Sequence, residues 1–241
     1  NGAYCVDEGM VFDGTDDYVD VTPWLFGGEA MTVEAYVKRD SASGNYDRIF
    51  QFSDAGNDDF VLLCTYTPLS NAAGFYTQVG SSGYSFATSA ANEYSLSAWV
   101  HIVGTVESDG TLKIYMDGDA QSTTGSSGTP AAMTRLHHVF GSGSDKSEGV
   151  VNFDGTIAYH RFWHGAALDA DQVAKLYAER SEPAKVPGAA TAKVQKEQVG
   201  SKVGAQSPLT RSALAAARRR ASQRARARAG SGWRRRRSTR R

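Results

Sequence analysis

Three short segments place acidic side chains close to glycine, and these residues are the ones best suited to bind a metal ion. They are DGTDDYVD (13–20), SDAGNDD (53–59) and SDKSE (144–148). Calcium takes about six to eight oxygen ligands, so clustered carboxylates suit this hard cation. Asp-Gly pairs also form turns without any metal, and this alternative stays open. We hypothesise that the chain binds at least one calcium ion.

A pair of carboxylates placed to cleave a glycosidic bond is not found in the sequence. A retaining glycosidase needs two carboxyl groups about 5 Å apart, which on one strand face means acids two residues apart. Glu34 stands alone on its face of MTVEAYVKR (31–39), and Asp117 and Asp119 flank Gly118, where a turn is expected. The Gly-x-Ser-x-Gly and His-Glu-x-x-His motifs of other hydrolases are also absent. The sequence therefore predicts a non-enzyme, with a β-glucan hydrolase as the weaker alternative.

The histidines are poorly spaced for a metal site. His137 and His138 are adjacent, so on a strand they point to opposite faces and do not easily bind one ion. His160 and His164 share the strand face of Phe162, which favours hydrogen-bonded histidines in the core or at its edge.

Two cysteines, Cys5 and Cys64, leave the redox state of the chain open. An even pair permits one disulfide without requiring it, and two buried thiols are the equal alternative.

Aromatic rings beside amide and carboxylate groups would suit a carbohydrate, because the C–H faces of a sugar stack on rings and its hydroxyls take hydrogen bonds. Four tyrosines and four polar residues in or near predicted loops are the candidates: Tyr66, Tyr76, Tyr84, Tyr94, Asn57, Asp58, Asp59 and Asn71. We predict that they lie near one rim of the domain. Packing of some of these rings in the core is the alternative.

Short β-strands must position these residues. From Met10 to Trp163, apolar runs are separated by Gly, Asp, Asn and Ser, a spacing typical of an all-β sandwich. In residues 31–39, apolar and polar side chains alternate, which predicts a half-buried strand. Residues 99–106 and 111–119 surround the turn ESDG and predict an antiparallel hairpin. Further strands are predicted at DRIFQF, FVLLC, GFYTQV, YSFAT and RLHHVF.

The hydrophobic period changes after TIAYHRFWH (156–164). Asp169 is a suitable N-cap, and Gln172 is spaced to complete a capping box. Val173, Leu176 and Tyr177 share one helical face, so we predict a short helix that docks on the sandwich.

The order of these segments resembles the laminin G-like, concanavalin A-like lectin/glucanase superfamily over about residues 8–180. The segments that carry the resemblance are VFDGTDDYVDV, MTVEAYVKR, IFQFSDAGNDDFVLL, WVHIVGTVESDGTLKIYMDGD and FDGTIAYHRFWHGAALDADQVAKLY. The resemblance implies a two-sheet antiparallel jelly-roll sandwich with one short C-terminal helix. Members bind glycans, proteins or lipid headgroups through rim loops or a concave face. Some members hydrolyse β-glucans, but the Glu-x-Asp-x-x-Glu pattern of that branch is absent here.

The resemblance also suggests where calcium would bind and where the protein would work. In related jelly-rolls a calcium ion often joins early and late segments of the chain, which here implies Asp13 or Asp16 together with Asp154. A binding module of this kind is expected in a secreted or cell-surface protein, with a glycan or glycoprotein as its partner. A structural or protein-interaction domain without sugar affinity is the alternative.

Charge divides the chain in two. Residues 1–182 hold nine of the 26 Lys and Arg and 25 of the 26 Asp and Glu, which gives them a net charge of about −16. We predict that they form the jelly-roll domain, followed by a linker over 183–210 and a disordered Arg-rich tail over 211–241. The densest basic residues of the tail are predicted to bind polyanions: Arg218, Arg219, Arg220, Arg234, Arg235, Arg236 and Arg237. Charge pairing with the acidic domain, or a coding artefact, would explain the tail equally well.

No apolar run is long enough to span a bilayer.

Overall fold

The computed structural model describes residues 2–41, 46–56, 58–66, 71–80, 83–121, 125–126, 128–144 and 152–180. These residues form sixteen strands and one helix. In chain order they are β1 (Tyr4–Val6), β2 (Gly9–Asp13), β3 (Val19–Asp20), β4 (Leu25–Phe26), β5 (Met31–Arg39), β6 (Arg48–Ser53), β7 (Phe60–Tyr66), β8 (Ala72–Gln78), β9 (Tyr84–Thr88), β10 (Trp99–Val106), β11 (Thr111–Met116), β12 (Asp119–Ala120), β13 (Gly125–Ser126), β14 (Met133–Thr134), β15 (His137–Phe140), β16 (Asp154–His164) and α1 (Ala170–Glu179).

Two large sheets make up the domain. The eight-stranded sheet has the order β1-β2-β16-β5-β10-β11-β12, with β13 also paired to β11, and the six-stranded sheet has the order β3-β15-β6-β7-β8-β9. Strands β4 and β14 form a small separate pair. The strand ladders of both large sheets are antiparallel, as the sequence predicted. The fold is therefore a two-sheet antiparallel jelly-roll.

The core lies between the sheets and consists of alternate residues from both. Val33, Ala35 and Val37 of β5 face Phe50 and Phe52 of the six-stranded sheet within one buried cluster. The predicted hairpin is confirmed, since β10 and β11 pair from Ile102↔Met116 to Val106↔Leu112. Gly110 closes its turn with a positive φ of 86°.

Strand β5 is buried on both faces, so the prediction of a half-buried strand is wrong. Its outward-facing Thr32 accepts a hydrogen bond from Leu168 N (2.9 Å) and donates one to Ala166 O (2.9 Å). Outward-facing Tyr36 is covered by the rings of Trp99 and Tyr159, at centroid distances of 5.1 and 5.7 Å. The strand pattern gave no sign of this cover because the covering residues come from β10, β16 and the segment before α1.

The helix begins as predicted. The Asp169 carboxylate accepts a hydrogen bond from Gln172 N (2.9 Å), and Gln172 Oε1 accepts one from Asp169 N (3.0 Å), which completes the capping box. Val173 is buried against Val103 and Tyr115 on the outer face of the eight-stranded sheet. Within the described part of the chain, no helix is long and apolar enough to cross a membrane.

Cys5 and Cys64 are both free thiols, so the disulfide alternative is wrong. Cys5 is exposed on β1 of the eight-stranded sheet, whereas Cys64 is buried on β7 of the six-stranded sheet. The alternative of two buried thiols holds for Cys64 alone.

Candidate ligand-binding groove

The outer face of the six-stranded sheet carries a second set of apolar side chains. Val61, Leu63 and Phe75 point into the core, so their neighbours Leu62 and Tyr76 point the other way. One row of outward-facing residues runs in register across all six strands: Asp20, Val139, Gln51, Leu62, Tyr76 and Phe86. The next row places Ser53, Phe60, Gln78 and Tyr84 side by side.

These side chains enclose a shallow groove. Its lining residues are Tyr46, Arg48, Phe60, Leu62, Tyr76 and Tyr84, and the name "the groove" refers to these six. The groove has a volume of about 190 Å³. Pockets that enclose drug-sized ligands usually measure about 300–1,000 Å³. The groove therefore has room for a ring-sized group that projects from a larger ligand.

Aromatic rings form the walls and floor of the groove. The ring centroids of Tyr76 lie 5.9 Å from Tyr84 and 6.0 Å from Tyr46, and Phe86 stacks on Tyr76 at 5.3 Å. Phe60 and Tyr76 are buried, whereas the side chain of Tyr84 is 59% exposed. The exposed ring at the edge of a buried aromatic floor gives a ligand a flat apolar surface to stack on.

Arg48 supplies the positive charge of the groove. Its Nη1 donates to Tyr46 O (2.6 Å) and its Nε donates to Gln51 Oε1 (3.1 Å), so both acceptors are neutral. Cys64 lies beside Arg48, and burial raises the pKa of its thiol to about 12 even though Arg48 acts in the opposite direction. The thiol is therefore uncharged at neutral pH and does not neutralise the guanidinium.

The structure brings together two of the residues that were predicted to bind a glycan, and it places the other described ones elsewhere. Tyr76 and Tyr84 lie in the groove, but on strand faces instead of a loop rim. Tyr94 is fully buried in the core, and Arg39 packs over its ring at 4.6 Å. Asn71 accepts a hydrogen bond from Arg39 Nη2 (2.7 Å), so its side-chain oxygen already has a partner within the domain.

Asp59 has a structural role in place of the predicted ligand contact. Its Oδ1 accepts a hydrogen bond from Arg135 Nε (3.1 Å) and also contacts Arg135 Nη2. Arg135 is fully buried, and its other hydrogen bonds reach Phe26 O and Ala131 O. Asp58 is exposed in the turn before β7, where its N–H donates to Asp54 Oδ1 (3.0 Å).

Several predicted residues lie outside the described part of the chain. They are Asn57, the side chain of Tyr66, the linker and the arginines of the tail.

Sequence reasoning missed four of the six groove residues. Phe60 and Leu62 alternate with Val61 and Leu63, so strand β7 is apolar on both faces. That pattern signals a strand covered on both sides, and it could have drawn attention to this surface. Tyr46 and Arg48 gave no such signal, because they reach the groove through the left-handed backbone of Tyr46 (φ 64°) and the bulge of β6.

The acidic segment near the N-terminus forms a compact cluster. Asp13, Asp16 and Asp17 each place one carboxylate oxygen within 4.8 Å of the others. Asp17 is buried, accepts a hydrogen bond from Asp13 N (3.0 Å) and contacts Gly2 N. Asp154 pairs with Asp13 across β2 and β16, but the cluster contains Asp17 and not the predicted Asp154. The three clustered carboxylates offer the hard oxygen ligands that calcium prefers.

The core histidines are uncharged at neutral pH. His160 packs against Phe50 and Phe140, and burial lowers its pKa to about 3. His138 stacks on Phe52 at 4.5 Å, and burial together with nearby Arg135 lowers its pKa to about 4. The predicted core position of His160 is confirmed, although its Nε2 has no hydrogen-bond partner among the described residues. His164 Nε2 lies 3.1 Å from Gly27 O, at the edge of the core.

Glu34, the isolated acid of β5, is fully buried in a polar cluster under the outer face of the eight-stranded sheet. Its Oε1 accepts a hydrogen bond from Arg161 Nη2 (2.7 Å) and lies 2.8 Å from His101 Nε2. Arg161 Nε also makes an ion-pair contact of 2.7 Å with Oε2. Tyr159 donates a longer hydrogen bond to the same carboxylate (3.3 Å). These contacts give Glu34 a structural role.

The two packed antiparallel sheets define a jelly-roll domain. The chain belongs to the concanavalin A-like lectin/glucanases superfamily, whose family model matches residues 13–174. No curated protein sequence matches the chain.

Solved structures share the fold at low sequence identity. A heptameric pentraxin from Limulus polyphemus aligns with a TM-score of 0.54 and 16% identity over 72% of this chain and 84% of that one. Domain 4 of an extracellular arabinanase from Geobacillus stearothermophilus, in complex with arabinotriose, aligns with a TM-score of 0.52 and 17% identity over 70% and 76%. Domains LG4-5 of the mouse laminin alpha1 chain align with a TM-score of 0.51 and 16% identity over 68% and 44%. At these identities the likeness extends to the fold alone.

Proposed function

We propose that this protein is a non-catalytic carbohydrate-binding module and that it binds its ligand in the groove. The observation that carries the proposal is the aromatic lining of the groove on the outer face of the six-stranded sheet, where exposed Tyr84 and partly exposed Tyr46 flank the buried ring of Tyr76. A sugar ring can stack its C–H face on such rings, while its hydroxyls accept hydrogen bonds from the guanidinium of Arg48. The sequence predicted binding through rim loops, whereas the proposed site lies on the outer face of the six-stranded sheet.

The chemistry of the groove supports binding without turnover. None of its six lining residues carries a carboxylate. Glycoside hydrolysis usually requires two carboxyl groups that flank the scissile bond. The arabinanase domain in complex with arabinotriose has the same fold, which supports a carbohydrate as the kind of ligand. We propose that the module works outside the cell or on its surface, where it would meet glycans.

Calcium binding at the acidic cluster is part of this proposal. Asp13, Asp16 and Asp17 would hold the ion, and its charge would relieve the repulsion between their carboxylates. Because Asp17 already accepts a hydrogen bond from Gly2 N and Asp13 pairs with Asp154, a bound ion would stabilise the junction of early and late strands.

The Arg-rich tail would add weaker and less specific binding to polyanions. Its dense positive charge predicts binding that weakens steeply with salt. Replacement of Arg234–Arg237 by glutamine should reduce retention of the protein on heparin, and unchanged retention would reject this part of the proposal.

A glycan array with three forms of the full chain tests the main proposal. The wild-type chain should bind a defined set of glycans, and Tyr84→Ala should lose most of this binding. Tyr4→Ala is the matched control, because Tyr4 is 58% exposed against 59% for Tyr84 but lies on the other sheet. Absence of glycan binding by the wild-type chain would favour a protein-interaction domain without sugar affinity. Equal binding by both variants would place the site elsewhere.

A further inference from the structure

The charge of the groove points to a particular class of sugar. We infer that the groove binds a saccharide that carries a carboxylate, and that Arg48 binds this group. The inference rests on the proposed function, because it specifies the ligand of the same groove.

The guanidinium of Arg48 is oriented by hydrogen bonds within the protein, and some of its N–H groups remain available to a ligand. An arginine has five N–H donors, and the hydrogen bonds to Tyr46 O and Gln51 Oε1 use two of them, while a further one reaches the thiol of Cys64. The two oxygen acceptors are an amide and a carbonyl oxygen, so neither is a carboxylate. The remaining N–H groups match the two oxygens of a ligand carboxylate, the geometry in which arginine binds such groups best.

The surroundings of Arg48 favour an anion further. The guanidinium is half-buried beside Phe60, Leu62 and Tyr76, whose apolar surfaces reduce its contact with water. A charge in such a place is costly unless a partner compensates for it, and the attraction between opposite charges is stronger there than in bulk water. The thiol of Cys64 does not compensate, because its raised pKa keeps it protonated.

The overall charge of the domain limits the size of the anion. Residues 1–182 carry a net charge of about −16, so a long polyanion would be repelled from most of their surface. A neutral saccharide would offer the unused N–H groups of Arg48 no charged acceptor. A short oligosaccharide with one acidic sugar at its end would bring one carboxylate to Arg48 and would avoid the repulsion that a long polyanion meets.

Matched acidic and neutral saccharides test this inference on the full chain. Trisaccharides that carry a single galacturonic, glucuronic or mannuronic acid at one end would be compared with their methyl esters, which keep the sugar and remove the charge. Calorimetry at two salt concentrations separates the groove from the Arg-rich tail, whose binding weakens steeply with salt. We expect one of the acids to bind at least about tenfold more tightly than its ester, as a hydrogen-bonded charge pair would give.

Variants show whether Arg48 is responsible. Arg48→Gln should remove the preference for the acid over its ester, and Arg48→Lys should keep part of it. Lys175→Gln, which removes the same charge from an exposed site on α1, should leave the preference unchanged.

If ester and acid bind equally to the wild-type chain, or a sulfated sugar binds better than any carboxylate, the inference is wrong while the proposed function stands. If these saccharides and the glycans of the array all fail to bind, the proposed function itself fails.

Discussion

The ring of Tyr76 lies over Gly74, its neighbour two residues earlier on the same face of β8. A methyl group at Gly74 would meet Tyr76 Cε2 at 2.5 Å, which is closer than real side chains approach. The absence of a side chain at Gly74 therefore lets Tyr76 lie flat along the sheet and form the floor of the groove. The backbone at Gly74 is not left-handed, so alanine would be excluded by the ring alone.

Gly74→Ala should tilt the ring of Tyr76 and weaken ligand binding several-fold, with a smaller effect on folding because the ring can move toward solvent. Gly104→Ala is the matched control, since its methyl group would meet the core-facing ring of Phe75, also at 2.5 Å. That control should lower the free energy of unfolding by about 1–3 kcal/mol while the folded fraction still binds. Calorimetric titration and urea denaturation of both variants check this pair of outcomes.

Asp59→Asn should destabilise the domain strongly, because it leaves the buried guanidinium of Arg135 without its counter-charge. Loss of one partner of a buried ion pair typically costs about 3–5 kcal/mol. Glu179→Gln, an equivalent change in the exposed Lys175–Glu179 pair, should cost less than about 0.5 kcal/mol. Similar melting temperatures for the two variants would contradict the structural role given to Asp59.

Stability should fall as the pH is lowered from about 6.5 toward 5. The pKa values of His160 and His138 are lowered to about 3 and about 4, so the folded protein keeps both rings neutral in this range. The unfolded chain, with histidine pKa values of about 6.5, takes up protons there and is favoured. Each histidine contributes a slope of up to about 1.4 kcal/mol per pH unit. Urea denaturation as a function of pH should show a shallower slope for His160→Leu, and an unchanged slope would refute the assignment.

Glu34→Gln should lower stability without affecting any hydrolysis of glycans. The change removes the negative charge that binds Arg161 and contacts His101. Because the Arg161 side chain is 45% exposed and can be solvated, we expect a loss of about 1–3 kcal/mol. A β-glucan hydrolysis assay should show no turnover by either form. Turnover by the wild-type chain that disappears in the variant would revive the hydrolase alternative.

Calcium should raise the melting temperature of the protein, because an ion that binds only the folded state adds to its stability. Asp16→Asn should abolish this calcium-dependent increase, since Asp16 belongs to the cluster of three carboxylates. Asp171→Asn, on the exposed first turn of α1, should retain it. Differential scanning calorimetry with calcium and with a chelator measures the effect, and identical melting temperatures for the wild-type chain would remove the metal from the proposal.

The sequence by itself determined the longer strands, the hairpin and the helix of this protein. Alternating side chains in residues 99–106 and 111–116 and the turn glycine Gly110 act within a few residues of each other, so their outcome is readable locally. The same holds for the capping box of Asp169 and Gln172. The antiparallel two-sheet arrangement follows from these elements and from the order in which they occur.

Only the tertiary structure decided which of the candidate residues meet. Tyr84 and Tyr94 look alike in the sequence, yet the register of β8 with β9 brings Tyr84 to Tyr76, while Tyr94 packs under Arg39 in the core. Asp59 is bound by Arg135, which lies 76 residues further along the chain. Arg48 lies in the groove because of a bulge in β6, and no local sequence pattern predicts that bulge. Contacts of this kind depend on the pairing of distant strands, and side-chain alternation fixes the face a residue occupies but leaves its neighbours on that face undetermined.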